Sequence, residues 1–94
     1  MESPNELSER LERLASEYGT VCGRLGDLTR DKAERWLQLR ETVSSDTRAT
    51  KLWDATADGK EEGVLRWKER GLLRQMSSIR TRLRVLSDEV KNMY

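Results

Sequence analysis

The sequence predicts an all-α protein: an antiparallel, coiled-coil-like helical hairpin with a short connecting helix, assembling into a helical-bundle oligomer. Three observations predict it. In 94 residues there are one proline, six glycines and no phenylalanine, and the charged fraction (37%) exceeds the apolar one (35%). That composition suits long helices with charged outer faces and is too thin in apolar residues for a layered globule. Two long stretches repeat apolar residues with alternating steps of four and three, the spacing of a coiled-coil seam. The net charge of +1 also conceals two polarised halves: residues 1–63 sum to −4 (10 basic, 14 acidic) and residues 64–94 to +5 (8 basic, 3 acidic).

The first helix is expected over about 4–43. Ser3, Pro4 and Glu6 combine a capping hydroxyl, proline at the first helical position and a carboxylate three residues after the serine, which together satisfy free N–H groups at a helix start. Leu7, Leu11, Leu14, Tyr18, Val21, Leu25 and Leu28 come next at alternating steps, and Trp36, Leu39 and Val43 continue the same face, with Lys32 as the interruption. Ser44, Ser45, Asp46 and Thr47 then hydrogen-bond their own backbone readily, which predicts a turn. A short helix over about 46–57 carries Ala49, Leu52, Trp53 and Ala57; it could also join the second long helix. Asp58-Gly59 offers a second turn, with Asp58 and Glu61 spaced as a capping box. From Leu65 the seam resumes through Leu72, Met76, Ile79, Leu83, Leu86, Val90 and Met93, predicting a helix over about 59–92. Residues 1–94 thus form one domain.

Two narrow stripes must cover each other, since each exposed leucine forfeits about 1.5–3 kcal/mol. Charge favours an antiparallel arrangement, because residues 2–17 are net acidic and residues 78–94 net basic. Placing Val43 near Leu65 gives a register in which paired residue numbers sum to about 108, with Lys91 facing Glu17 and Trp36 facing Leu72. Leu7, Leu11 and Leu14 would then overhang the end of the second long helix, and pairing of two such overhangs would make a dimer or higher oligomer.

Chemistry is narrowed by absences. The chain has no histidine and one cysteine, and it lacks Cys-x-x-Cys, Gly-x-Gly-x-x-Gly and Walker-type loops, so no catalytic residue, metal, cofactor or small-molecule substrate is expected. Adjacent Glu61 and Glu62 diverge on a helix and suit a metal poorly. Cys22, among Val21, Leu25 and Leu28, reads as a small apolar residue. No apolar run is long enough for a membrane span and the first residues are acidic, so a soluble, cytoplasmic protein is expected.

Three features stand out as candidate binding surface. Gly19, Gly23 and Gly26 line one strip of the first helix, which either lets a second backbone approach or marks a bend, with Asp27 capping a fresh helix. Arg66, Arg70, Arg74, Arg80, Arg84 and Lys91 share an arc of the last helix. They would either lace it to its neighbours or follow the phosphates of a nucleic acid. Trp67 lies about 160° from Leu83 at 100° per residue, on the outer side beside Arg70 and Arg74, where a tryptophan reads as an interface anchor. Trp36 belongs to the seam, and Trp53 is placed to cap the open end of the hairpin.

The stretch Met76-Ser77-Ser78-Ile79-Arg80-Thr81-Arg82-Leu83-Arg84-Val85-Leu86, with Trp53 upstream, resembles small helical proteins of actinobacterial bacteriophages. The resemblance covers the C-terminal half and includes no chemical motif; it implies a cytoplasmic phage protein and brings no activity with it. Small secreted helical hairpins with Trp-x-Gly in their turn are similar in length, but Trp53 is followed here by Asp54-Ala55. The functional expectation is a non-enzymatic interaction module that binds itself and another protein, with Trp67, Arg70, Arg74, Gly19, Gly23 and Gly26 as contacts. The alternative is a sequence-independent nucleic-acid binder using the arginine stripe.

Overall fold

A computed structural model describes residues 2–92. Among them the chain is all helical: α1 (Pro4–Thr42), α2 (Asp46–Ala55) and α3 (Ala57–Asn92). The molecule is a rod with principal extents of 68 × 19 × 18 Å. Met93, the last residue of the expected seam, lies outside the described residues.

Local chemistry explains each boundary. Ser3 Oγ accepts a hydrogen bond from the Glu6 N–H at 3.2 Å, with Pro4 opening α1. Thr42 donates its hydroxyl proton to the Leu39 carbonyl, and Val43 leaves the helix in an extended conformation. Ser45 caps α2 by accepting from the Arg48 N–H. The break between α2 and α3 falls at Thr56, whose extended backbone ends one helix while its hydroxyl accepts the Gly59 N–H at 3.0 Å and its carbonyl accepts the Lys60 N–H. The turn expected at Asp58-Gly59 is therefore corrected: both residues lie inside the first turn of α3, because the threonine upstream supplies the cap. Nor does α1 break or restart near Gly19–Asp27; it is continuous through them.

The ion pairs across the rod run in opposite numerical order along the chain. Glu2 lies 3.9 Å from Arg82, Glu17 3.2 Å from Lys68, and Arg24 2.7 Å from Glu61. Further along, Trp36 Nε1 donates to Thr50 at 3.4 Å and Arg40 pairs with Asp46 at 2.6 Å. In these five the two residue numbers sum to about 85, so α2 and α3 run back along α1 from Val43–Ser45; only at the Thr56 break do long side chains reach further, Arg35 to Asp58 and Lys32 to Glu62, with sums of 93 and 94. The expected sum of 108 is corrected by these contacts. It placed Val43 near Leu65, whereas the returning limb starts at residue 46, so Glu17 pairs with Lys68 and Trp36 with Thr50 in place of Lys91 and Leu72.

The changed register reverses the expected overhang. Leu7 is 2% exposed and buried against α3, with Leu11 and Leu14 half-buried. Pro4 stands level with about residue 81, so it is the last eleven residues of α3, about 16 Å of helix, that extend past the start of α1. Between these ends the seam is filled by Val21, Leu25 and Leu72, with Leu14, Tyr18 and Leu65 packed against them, and by Leu28, Met76 and Ile79.

Trp53 is fully buried at 0% exposure, beside buried Ala49. The expectation that it caps the open end is corrected: it lies where the returning limb breaks, and Lys32 of α1 sits 5.8 Å from its ring centroid. The limb can break so tightly because residue 59 has no side chain. A Cβ there would lie 1.9 Å from the Trp53 carbonyl oxygen and 2.9 Å from the Asp54 Cα, contacts with backbone that no rotamer can relieve. By contrast a Cβ at Gly19, Gly23 or Gly26 would meet nothing within 4 Å.

Gly59→Ala should thus lower stability by about 1–3 kcal/mol through overpacking, whereas Gly23→Ala should raise it by about 0.5–1 kcal/mol through helix propensity. Urea titrations followed by circular dichroism would measure both, and equal signs would refute this account of the two glycines.

Candidate functional site

Two groups of side chains are left over once the seam is accounted for. One is a buried polar cluster at the junction of the three helices. Lys32, the interruption in the α1 stripe, places its Nζ 3.2 Å from Glu62 Oε1, and Glu62 is itself buried. Arg66, one turn on, stands 3.9 Å from the same oxygen. Glu62 Oε2 and Trp53 Nε1 have no hydrogen-bond partner. Sequence reasoning missed this pair, although both residues fall on the seam: Lys32 is four residues after Leu28, and Glu62 is three before Leu65. A cation in one stripe and an anion in the other is the signal that would have found it. Its neighbour Arg24–Glu61 is a two-pronged contact at 2.7 and 2.8 Å on the surface. That hydrogen bonding holds the Glu61 carboxyl below the usual carboxylate range, so its stabilisation is present above that range and is lost as the pH falls through the lowered value. Because both side chains are exposed, the effect is small.

The other group is the outer face of α3. Trp67 is 71% exposed, more than any other large apolar residue among those described, with Val64 one turn before it also largely exposed. Gly71, one turn after, leaves open the space beside the indole, and the three residues floor a shallow groove of about 390 Å³ whose rim carries Lys68, Arg70 and Arg74. No carboxylate lines it. Lys68 is engaged by Glu17. Arg70, Arg74, Arg80 and Arg84 pair with no carboxylate among the described residues. Intramolecular lacing therefore does not account for these four, and Lys91 lies on the same arc near the end of the helix. From Arg66 to Lys91 the stripe extends about 37 Å at 1.5 Å per residue.

The glycine strip lies on the exposed outer side of α1 and is not brought together with the Trp67 groove, which belongs to α3. Leu7, Leu11 and Leu14 pack within the chain. Cys22 is half-buried next to Tyr18, whose phenol it pushes above its ordinary pKa by hydrogen bonding and by charge. Among the described residues no helix is long and apolar enough to cross a membrane, and no three His, Cys, Asp or Glu residues are placed to hold a metal ion.

No protein-family model, curated protein or solved structure matches the chain.

The polar junction makes a thermodynamic prediction. Lys32→Ala should cost about 1–3 kcal/mol, below the range for a fully buried pair because the lysine is a third exposed and Arg66 already stands near the same oxygen. Replacing both residues, Lys32→Met with Glu62→Leu, should restore most of that loss. A double-mutant cycle in urea would decide it, and purely additive losses would show that the two charges do not interact.

Proposed function

We propose that this chain is a non-catalytic, self-associating helical hairpin that works by binding another protein, and that the partner docks on the Trp67 face of α3. The observation that carries the reading is the 71% exposure of Trp67 in a groove rimmed by basic side chains and free of carboxylates. A large aromatic ring left in water costs stability without serving the fold. Tryptophan and arginine together are also the residue types that most often anchor protein interfaces. The chemistry of the groove selects an acidic segment with an apolar side chain to cover the indole. The resemblance of Met76–Leu86 to small phage proteins supports an accessory or host-interaction role in the cytoplasm of an infected cell.

A second reading has its own support. Arg70, Arg74, Arg80 and Arg84, without carboxylate partners among the described residues, suit the backbone of a nucleic acid, bound without regard to sequence. The two readings differ in what Trp67 and salt do.

Trp67→Ala should leave stability within about 0.5 kcal/mol, as for an exposed position, and abolish co-purification of a protein partner from the native cell in the presence of nuclease. Capture that survives the substitution would refute the first reading. For the second, anisotropy with a labelled 30-nucleotide duplex should show affinity falling steeply between 50 and 200 mM salt and falling again in Arg74→Ala with Arg80→Ala. No binding at 50 mM salt would remove it.

A further inference from the structure

The two outer faces of the rod complement each other. Along the side of α1 turned away from α3, Gly19, Gly23, Gly26, Arg30, Ala33 and Leu37 follow one another at steps of four and three, and all are exposed. That is the spacing of a helix seam with nothing packed on it. The glycines weaken the helix they sit in, and a Cβ on any of the three would meet nothing within 4 Å, so nothing in the hairpin requires them. Trp67, on the far side of the rod, is the reverse case: a large ring with nothing to cover it.

We propose that the Trp67 face is covered by the outer face of α1 from a second copy lying beside the first and level with it; this rests on the reading of the Trp67 face as a docking surface and names its occupant. Charge carries the assignment. A copy moved sideways without sliding keeps the level relation of the chain itself, in which residue numbers summing to about 85 stand side by side. Arg74 then meets Glu12 of the second copy and Arg80 meets Glu6, both with sums of 86. Nearer the reversal Lys60 meets Asp27, Asp54 meets Arg30 and Lys51 meets Glu34, with sums of 84 to 87. All ten side chains are exposed. Apart from Arg30 and Asp27, which pair with each other, none has an ion-pair partner among the described residues. Arg13 is set against its own sign, between Arg70 and Arg74, while Asp58, level with Asp27, is turned inward to Arg35. Exposed pairs are individually weak, but five at one register fix direction and alignment.

The same alignment brings the two unused features together. Trp67 comes level with Gly19 and Val64 with Gly23, with sums of 86 and 87, so the indole lies over a strip without side chains, where helices can approach closely. The facing length from Lys51 to Arg80 is about 44 Å, and a helix about 10–12 Å across covers about 500 Å² there on each copy. About 1,000 Å² in all is the size of a weak, reversible contact. Because it joins unlike faces, the contact does not close on itself. Each stack keeps one free Trp67 face, open to a different protein, and widens by about 19 Å per copy while its length stays at 68 Å.

Sedimentation velocity from 1 micromolar to 1 millimolar, with small-angle X-ray scattering at the upper end, tests the proposal on the full chain. At 50 mM salt the expected result is a mass that rises with concentration, in particles that widen but stay about 68 Å long, with association roughly tenfold weaker at 0.5 M salt, where screening is stronger. Trp67→Glu and Gly19→Glu should each be monomeric alone and yet form a 1:1 dimer, and nothing larger, when mixed, because one keeps a working α1 face and the other a working α3 face. Both positions are exposed, so helicity by circular dichroism should not fall in either variant. A wild-type monomer at 1 millimolar and 50 mM salt, association indifferent to salt, or self-association retained by either variant alone would overturn the proposal. Trp67-dependent capture of a different protein by a strictly monomeric chain would sink the stack and leave the docking reading standing. Stacking as described, with capture of that protein indifferent to Trp67→Glu, would do the reverse.

Discussion

The burial of Trp53 organises the rest of the molecule. An indole of this size needs atoms on all sides, and two helices in contact cannot surround it. The chain supplies the missing wall by breaking the returning limb at Thr56, which lets α2 and α3 meet α1 around one ring. The residues close to the break are constrained accordingly. Residue 59 has to be glycine, since the end of α2 lies against the start of α3. Lys32 leaves the apolar pattern of α1 because its ammonium is needed near the ring and beside Glu62. With the reversal at Val43–Ser45 and the break at Thr56 both set, the pairing of every residue along 68 Å of rod is determined.

The Lys32–Glu62 pair, its carboxylate buried and its ammonium part-buried, adds little net stability, since desolvation of the carboxylate offsets most of the attraction. Its value is in discrimination. A seam made of leucines alone tolerates sliding by a heptad, because every shifted leucine still finds an apolar neighbour. Sliding α1 against α3 by seven residues in either direction would put Glu62 opposite Leu39 or Leu25, a stranded carboxylate in the seam, and such states are disfavoured. The surface pairs Glu17–Lys68 and Arg24–Glu61 point to the same register but are individually weak.

Helix content and the face each helix buries were legible in the sequence, because a three-and-four spacing sustained over seven apolar residues has one physical interpretation. Ser3-Pro4 and Ser45 were legible for the same kind of reason: their side chains act on the nearest backbone. Register was not legible from those rules, since it depends on where the limb reverses, and residues 46–57 are only weakly patterned: Ala49 and Trp53 face inward while Leu52 is exposed. Spacing alone therefore predicts an overhang of α1, where the structure has one of α3. Had Lys32 and Glu62 been treated as mates, the sum of their numbers, 94, would have moved the register most of the way from 108 toward the observed value. On the outer face, the position of Trp67 could be read from the helical wheel. The isolation of Arg70, Arg74, Arg80 and Arg84 from carboxylates could not, because which acids lie within reach depends on the register.

The reversal at Val43–Ser45 also sets a gradient in chain entropy along the rod. Trp36 and Thr50, next to it, are 14 residues apart in sequence, whereas Glu2 and Arg82, at the far end, are 80 apart. The entropic cost of bringing two points together grows with the logarithm of the chain between them, so contacts near the reversal are the cheapest to make, and each one shortens the loop that the next must close. By loop length alone, contacts beside the reversal carry the smallest closure cost and those at the acidic start of α1 the largest. The two ends of the rod therefore differ in the chain entropy their contacts must overcome as well as in composition: one joins near neighbours in sequence, the other joins points 80 residues apart.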